Sequence, residues 1–436
     1  MSNDQNDRHM RQDVGPPLSE VMHWRRHLLQ AYQDDALRAI AYFKANSVDQ
    51  IFIERVLELL RTYVELPGAG QQPLPADDTI LQLAHLVAGQ VFQMGYWRQM
   101  RVLWPKLTQL AEFLDDPERY VNFVKRLAIV KGRQYDGQEG LKLYQQLIAD
   151  PRFQKTSTSL QADILCHVGT VLLWNGKSSE AEPLLQQCME LTRDHAQLAR
   201  KDAPRGRERR YNLEAAPLWE TRSYAMNQLG VLHMFKGKFA QARAYFGQIM
   251  ALYVEYDQLD NLACVAHQAI GRLLLYSNDH VAAIATLTRG LTIRRRHNDI
   301  ANTAINQAYI AAAEIQLGNL EHAAILLRDA LYACEGIDNL HDVAICHLYL
   351  GELAYLRRQW HQMVYHWQTT IDIAKKVELH FVEVRSWFAY LLPLFRRGHL
   401  RLALQICRTL WRSSCHDHLS PAALGRFLVL SLPSSR

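Results

Sequence analysis

Residues 219–256 decide the fold of this chain, and they read WETRSYAMNQLGVLHMFKGKFAQARAYFGQIMALYVEY. Two apolar segments with helical periodicity flank a short polar break around Gly237. Small residues stand at Gly230 in the first segment and at Ala242 in the second, where a larger side chain would hold two antiparallel helices apart. The stretch therefore predicts a helical hairpin.

The same pattern recurs along the chain at a fixed step. The position of Gly230 recurs at steps of 41, 40, 40 and 40 residues, as Gly271, Ala311, Gly351 and Leu391. The position of Ala242 follows the same steps, as Ala283, Ala323, Met363 and Ala403. The break recurs as Gly237, Asn278, Gly318, Arg358 and Gly398. Three positions that share one period indicate a repeat array, and a weaker continuation upstream passes through Gly95, Gly140 and Gly176.

The spacing L-G-x-x-x…G-x-x-x-x-A-x-x-x-F, which starts at Leu229, resembles a tetratricopeptide repeat. The usual unit has about 34 residues, and the longer units here are similar to those of kinesin light chains, bacterial peptide-sensing regulators and large signalling ATPases. The resemblance covers roughly residues 79–415. It implies an all-α fold, a right-handed α-solenoid of helical hairpins whose concave surface binds proteins or peptides.

The rest of the chain is organised around this array. Residues 1–17 are polar and are predicted to be disordered, and residues 67–78 (PGAGQQPLPADD) form a predicted linker. Residues 18–66 contain helical segments outside the 40-residue frame and predict an N-terminal helical cap, with a helix-turn-helix DNA reader as the alternative. Residues 416–436 predict a C-terminal capping helix and tail.

One step of the array is longer than the usual 40 residues. From Ala181 to Ala242 the chain runs 61 residues, so about half a unit is inserted, over residues 194–217. The insertion contains a basic set, Arg200, Lys201, Arg205, Arg207, Arg209 and Arg210. It is interpreted as a solvated loop that trypsin cuts first, and docking of an acidic partner or a phosphate is the alternative.

The composition argues against a nucleic-acid-binding, secreted or membrane-spanning protein. A net charge of +5 over 436 residues gives no global nucleic-acid signature, so nucleic acid is not a favoured partner. Seven cysteines without a CxxC pair predict buried thiols in a reducing cytoplasm. The first residues lack the apolar core of a secretory signal, and no run of 18 apolar residues predicts a membrane span.

No motif in the sequence carries catalytic chemistry. The phosphate-binding loop, the HExxH zinc motif and the GxSxG nucleophile elbow are all missing from the sequence. The run Cys415-His416-Asp417-His418 is spaced too tightly to close a tetrahedral zinc site by itself. We therefore predict no catalytic residue, no cofactor and no metal site, and we do not expect an enzyme.

The predicted binding site is the concave groove of the central repeats. Counting from the small residue of each first helix, we expect the positions three before, one after and one turn further to line the groove. This set is Asn227, Gln268, Arg272, Tyr276, Tyr309, Glu352, Tyr355 and Arg385. The predicted function is a protein- or peptide-binding scaffold. The alternative is a ligand- or peptide-sensing regulator whose superhelix changes shape on binding.

Overall fold

The structure is a computed structural model that describes residues 18–46, 48–67, 74–134, 137–193, 218–255 and 260–396. Over these residues the chain forms α-helices joined by short turns, with one 3₁₀ turn at Phe153–Lys155. The helices are α1 (Leu18–Ala45), α2 (Gln50–Val64), α3 (Asp77–Gln93), α4 (Trp97–Phe113), α5 (Pro117–Gln134), α6 (Gly137–Ala149), α7 (Thr158–Trp174), α8 (Ser178–Leu191), α9 (Leu218–Phe235), α10 (Phe239–Glu255), α11 (Asp260–Tyr276), α12 (His280–Arg296), α13 (Ile300–Leu317), α14 (Leu320–Gly336), α15 (Leu340–Leu356), α16 (Trp360–Lys376) and α17 (His380–Arg396).

The chain divides into two compact units, residues 1–84 and residues 85–436. In the first unit, the Asp49 carboxylate accepts a hydrogen bond from the backbone N–H of Phe52 at 2.8 Å and caps α2. The Tyr63 hydroxyl donates to Asp77 at 2.8 Å and so connects the last turn of α2 to the start of α3. The helical character predicted for residues 18–66 is present over the part that is described.

The second unit is built from helical hairpins, as the repeat predicted. Consecutive helices pack in antiparallel pairs, and the first helices of successive pairs also contact one another through α7, α9, α11, α13, α15 and α17. The inner helices α13 and α15 are buried along nearly their whole length, whereas the second helices α14 and α16 alternate between buried and exposed positions. The all-α solenoid is therefore confirmed.

The turns lie where the repeat placed the breaks. Gly237, Asn278, Gly318 and Arg358 all have positive φ, between 58° and 84°, which ends each first helix in the left-handed conformation. The turns that end the second helices use the same conformation at residues other than glycine, including Asp338 and Glu378, each with φ 56°. Asp and Asn tolerate this region better than other residues with a Cβ, so Arg358 and Glu378 are strained positions.

The small residues of the first helices allow the close approach that was predicted. A Cβ added at Gly230 would overlap the ring of Phe246, and one at Gly351 would overlap the indole of Trp367. Upstream, the equivalent residue is Gly169, which faces Leu185 sixteen positions later, as Gly230 faces Phe246. The weaker upstream frame placed Gly176 at the position of Gly237, and both have positive φ, 80° and 72°.

Several predictions fall outside the described residues. These are the N-terminal 1–17, most of the linker (68–73), the whole insertion 194–217 with its six basic residues, and 397–436, which includes the Cys415–His418 run and the C-terminal capping helix. Five cysteines lie within the described part, and all five are buried and outside any disulfide there. None of the helices described here is long and apolar enough to span a bilayer.

A candidate binding site on the inner face of the array

The first helices turn one common side towards the interior of the second unit, and we call this side the inner face. It is formed by the positions two before and one after the small residue, together with the positions one turn further in each direction. Its polar and aromatic members include Arg126, Asp163, His167, Trp174, Gln228, Arg272, Tyr276, Tyr309, Tyr349, Glu352 and Arg385.

Residues 203 or 240 positions apart in the sequence meet at the turns, so the inner face is enclosed rather than open. Arg98 donates two hydrogen bonds to Asp338, with Nε to Oδ2 at 2.5 Å and Nη2 to Oδ1 at 2.7 Å. Asn175 donates to Glu378 Oε2 at 2.8 Å, and Gln138 donates to the other carboxylate oxygen of Glu378. We call the hydrogen bonds of the Asp338 and Glu378 carboxylates with these donors the closure contacts. The Arg98 guanidinium lowers the pKa of Asp338 by hydrogen bonding to its carboxylate.

Aromatic side chains reinforce the enclosure. Phe235 at the end of α9 stacks on Phe381 at the start of α17, with ring centroids 3.9 Å apart. Trp174 at the end of α7 meets the edge of His341 at the start of α15, at 5.5 Å. The C-terminal ends of early inner helices therefore contact the N-terminal ends of late ones across the interior.

Two arginines and three aromatic rings contact one another in a row along the inner face. The Arg272 guanidinium lies between Trp174, at 5.8 Å from the ring centroid, and Tyr309, at 5.4 Å. Tyr309 in turn meets the edge of Tyr349 at 6.5 Å, and Arg385 lies 4.9 Å from the centroid of Tyr349. We call these five residues the cation–aromatic ladder. The negative face of an aromatic ring attracts a nearby cation electrostatically.

The far end of the ladder is neutralised by an acid. Arg385 donates to Glu352 Oε1 at 2.9 Å and to the Tyr349 hydroxyl at 3.1 Å, and both ionic side chains are about nine-tenths buried or more. Burial raises the pKa of Glu352, and the Arg385 guanidinium opposes that shift. Tyr276 lies close enough to Arg385 for its charge to affect the arginine.

A second group of ionisable side chains lies on α5, α6 and α7. Lys125 forms an ion pair with Asp163 at 2.6 Å, and His167 lies 3.5 Å from the same carboxylate. Burial opposes ionisation of Asp163, but Lys125, His167 and Arg126 outweigh it and lower its pKa to about 2. Burial also lowers the pKa of His167 to about 4, against the opposing charge of Asp163, although solvent still reaches 38% of the side chain.

The neighbouring helix adds an acid with the opposite shift. Burial raises the pKa of Glu220, at the start of α9, to about 7, and the charge of Asp163 adds to that shift. Tyr144, which is fully buried, stacks on the His167 ring, and its hydroxyl has no hydrogen-bond partner among the described residues. The cation–aromatic ladder with Glu352 and the group around Asp163 therefore each contain both cationic and acidic side chains in largely buried surroundings.

The structure separates the eight predicted groove residues into two sets. Arg272, Tyr276, Tyr309, Glu352 and Arg385 lie in or beside the cation–aromatic ladder. Gln268 instead accepts a hydrogen bond from Arg294 at 2.9 Å inside its own hairpin, and Tyr355 packs against Trp360 and Trp367 in the hydrophobic core. Asn227 is buried, and its Oδ1 has no partner among the described residues.

Sequence reasoning missed Trp174, Tyr349 and the group around Asp163. Tyr349 stands two residues before Gly351, as Tyr309 stands two before Ala311, so an aromatic at that position in successive repeats was the available signal. Trp174 stands five after Gly169, and Phe235 stands five after Gly230, so a second signal was present there. Tyr349 was missed because the groove was counted three positions before the small residue instead of two. Trp174 was missed because Gly169 was not recognised as the small residue of an upstream repeat.

The family comparison agrees with this geometry. A tetratricopeptide-repeat family model matches residues 223–255, which form the hairpin of α9 and α10. This hairpin is a tetratricopeptide repeat. A search of curated proteins finds no significant match.

Solved structures resemble the array at low sequence identity. A Rap protein complexed with competence and sporulation factor is 12% identical with a TM-score of 0.47, and the match covers 78% of this chain and 96% of that one. A signal transduction ATPase with a tetratricopeptide repeat sensor, from Pyrococcus horikoshii, is 10% identical with a TM-score of 0.42, covering 96% and 62%. IFIT1 bound to a capped RNA is 11% identical with a TM-score of 0.40, covering 87% and 76%. At these values, no ligand or partner is transferred to this helical array.

Proposed function

We propose that this tetratricopeptide array is a non-catalytic scaffold that binds a protein segment or peptide on its inner face. The observation that carries the proposal is a set of buried polar atoms on the inner helices that have no hydrogen-bond partner among the described residues. These atoms include Asn227 Oδ1, Gln228 Oε1, Arg272 Nε and Arg385 Nε. Each such unmade bond costs about 1–3 kcal/mol, which a ligand that supplies the missing partner recovers.

A peptide backbone suits these atoms because it offers donors and acceptors in alternation. The amide oxygens of Asn227 and Gln228 accept from backbone N–H groups, and the arginine Nε–H groups donate to backbone or side-chain oxygens. The tyrosines of the ladder add apolar area with a polar tip, which is typical of binding surfaces. Solenoids of helical hairpins generally bind partners rather than catalyse reactions, and that favours a scaffold over an enzyme.

The test compares two glutamines on the same hairpin. Gln228 lies on the inner face of α9, whereas Gln248 is exposed on α10. A random-sequence decapeptide pool is incubated with the full chain, and the retained peptides are identified by mass spectrometry after gel filtration. For a retained peptide, Gln228→Ala is expected to weaken binding by about 1–2 kcal/mol, the size expected for a lost anchor. Gln248→Ala is expected to leave binding unchanged.

The inserted segment provides the competing explanation. If the Gln228 variant binds normally while deletion of residues 200–210 abolishes binding, the functional site is the basic set of the insertion and the inner-face proposal is wrong. Both variants are first compared with the wild type for unfolding temperature, so that a loss of binding is not a loss of folding.

A second function, ligand sensing with a change of shape, is favoured by the closure contacts. Arg98 is 59% exposed on its side chain and its pairing with Asp338 is therefore weakly stabilising. A ligand on the inner face that separates these turns would need little energy to break that contact. Small-angle scattering with and without a retained peptide tests this: a change in the radius of gyration supports a sensor, and an unchanged radius contradicts it.

A further inference from the structure

Arg272 is a buried cation without an acidic partner in the described part of the chain. Its exposed fraction is 5%, and its Nε has no hydrogen-bond acceptor there. The contacts that the guanidinium makes are to the rings of Trp174 and Tyr309. A charge taken out of water without a partner costs free energy, so a side chain in this state is held in place by the rest of the fold.

The other two buried arginines of the array are paired. Arg294 donates to Asp299 at 2.8 Å and to Gln268 at 2.9 Å. Arg385 donates to Glu352 at 2.9 Å and to Tyr349 at 3.1 Å. Arg294 and Arg385 therefore each have an acidic side chain as a hydrogen-bond partner. Arg272 has none among the described residues.

The surroundings of Arg272 select the shape and charge of a ligand. Since aromatic rings lie near the guanidinium, its in-plane N–H groups remain for hydrogen bonding, and a planar group with two oxygens matches that fork. The cation–aromatic ladder has two guanidinium groups, and Glu352 pairs with Arg385. The charge of Arg272 is the one positive charge of the ladder that Glu352 does not neutralise. A single charge suits a monoanion better than a phosphate dianion.

We propose that Arg272, flanked by Trp174 and Tyr309, is the subsite that binds a carboxylate of the peptide held on the inner face. This assignment rests on the proposed scaffold function and names the chemical group that the scaffold recognises. The carboxylate belongs to an aspartate or glutamate side chain or to the C-terminus of the ligand, and the test distinguishes these two sources.

The first measurement needs no ligand. Arg272→Met keeps an unbranched apolar stem of similar length and removes the unpaired charge. If Arg272 is kept for binding, the ligand-free variant unfolds at a temperature equal to or above that of the wild type. Arg385→Met, which leaves Glu352 buried without its partner, unfolds at a lower temperature. A drop for Arg272→Met as large as that for Arg385→Met would mean that Arg272 has a structural partner, and it would overturn the proposal.

The second measurement uses three decapeptide pools of random sequence. The first contains Asp and Glu and has an amidated C-terminus, the second lacks Asp and Glu and has a free C-terminal carboxylate, and the third lacks any carboxylate. The wild-type chain is expected to retain the first or the second pool at least tenfold more than the third, and whichever is retained identifies the source of the carboxylate. Arg272→Met is expected to lose this preference while still retaining peptides.

The matched control is Arg295→Met, which removes the same charge from an exposed position on α12. It is expected to keep the preference of the wild type. Equal retention of all three pools by the wild type, or an unchanged preference in the Arg272 variant, would overturn the subsite and leave the scaffold function standing. Retention of none of the pools would overturn the scaffold function and the carboxylate assignment together.

Discussion

The guanidinium of Arg98 forms two hydrogen bonds with the carboxylate of Asp338, although 240 residues separate them in the sequence. The rest of helix α4, five further described hairpins and the insertion 194–217 lie between them. Gln138 and Glu378 are also 240 residues apart and are joined by a hydrogen bond of their own. The two contacts belong to successive repeats, so the array meets itself in a constant register.

A double-mutant cycle on Arg98 and Asp338 tests the strength of this contact. Arg98→Ala, Asp338→Asn and the double variant are compared by urea unfolding. We expect a coupling energy of about 0.5–1 kcal/mol, because the pair has good bidentate geometry but is largely exposed on the arginine side. The coupling should weaken in 1 M salt. A coupling of zero at low salt would show that the turns are held together by other contacts alone.

Gly351 is expected to tolerate no side chain. Gly351→Ala places a methyl group against the Trp367 indole and should lower the free energy of unfolding by about 1–3 kcal/mol, as overpacking does. Gly336→Ala is the control, since a Cβ at that position meets no atom within 4 Å. It should be neutral or slightly stabilising in the same thermal unfolding experiment. Equal effects of the two substitutions would contradict the close approach of α15 and α16.

Arg358 has a left-handed backbone that glycine adopts without strain. Arg358→Gly should therefore raise the free energy of unfolding by up to about 1 kcal/mol, despite the greater flexibility of glycine in the unfolded chain. Gly318→Ala, at the same turn of the preceding hairpin, should lower it by about 1 kcal/mol. Opposite signs in chemical denaturation are the expected result, and a loss of stability in Arg358→Gly would assign a stabilising role to its side chain.

The ionisable group on α5 to α7 predicts a pH dependence. Because the folded pKa of His167 is about 4, below the ordinary value of 6.5, its neutral form is favoured on folding. The stability it contributes is complete above pH 6.5 and is lost as the pH falls from 6.5 towards 4. The free energy of unfolding of the wild type should therefore decrease more steeply over this window than that of His167→Gln. Asp163, with a folded pKa of about 2, stays ionised throughout it.

The repeat and its turns could be predicted from the sequence because they are local. Gly237, Asn278, Gly318 and Arg358 stand at one phase of the period, and all four have positive φ. The same phase identified Gly230 and Gly351 as sites of close helix approach. These features recur every forty residues and depend only on contacts within one hairpin.

The pairing inside the site could not be predicted in the same way. Arg385 and Glu352 were both placed in the groove, but their mutual hydrogen bond depends on the rotation between α15 and α17. Gln268 and Tyr355 were assigned to the groove, and they face their own hairpins because one position along a helix turns a side chain by about 100°. The enclosure of the inner face depends on the accumulated twist of the hairpins between Arg98 and Asp338, which no short-range pattern in the sequence encodes.

The constant register of the closure contacts limits how this protein can change in length during evolution. Open solenoids gain and lose units by duplication or deletion, because each unit contacts only its neighbours. Here, one additional unit between Arg98 and Asp338 would bring a different turn opposite Arg98, and Gln138 would lose Glu378 at the same time. A change in copy number would therefore require new side chains at two turns at once. We expect the number of units between these residues to stay fixed while the exposed second helices diverge.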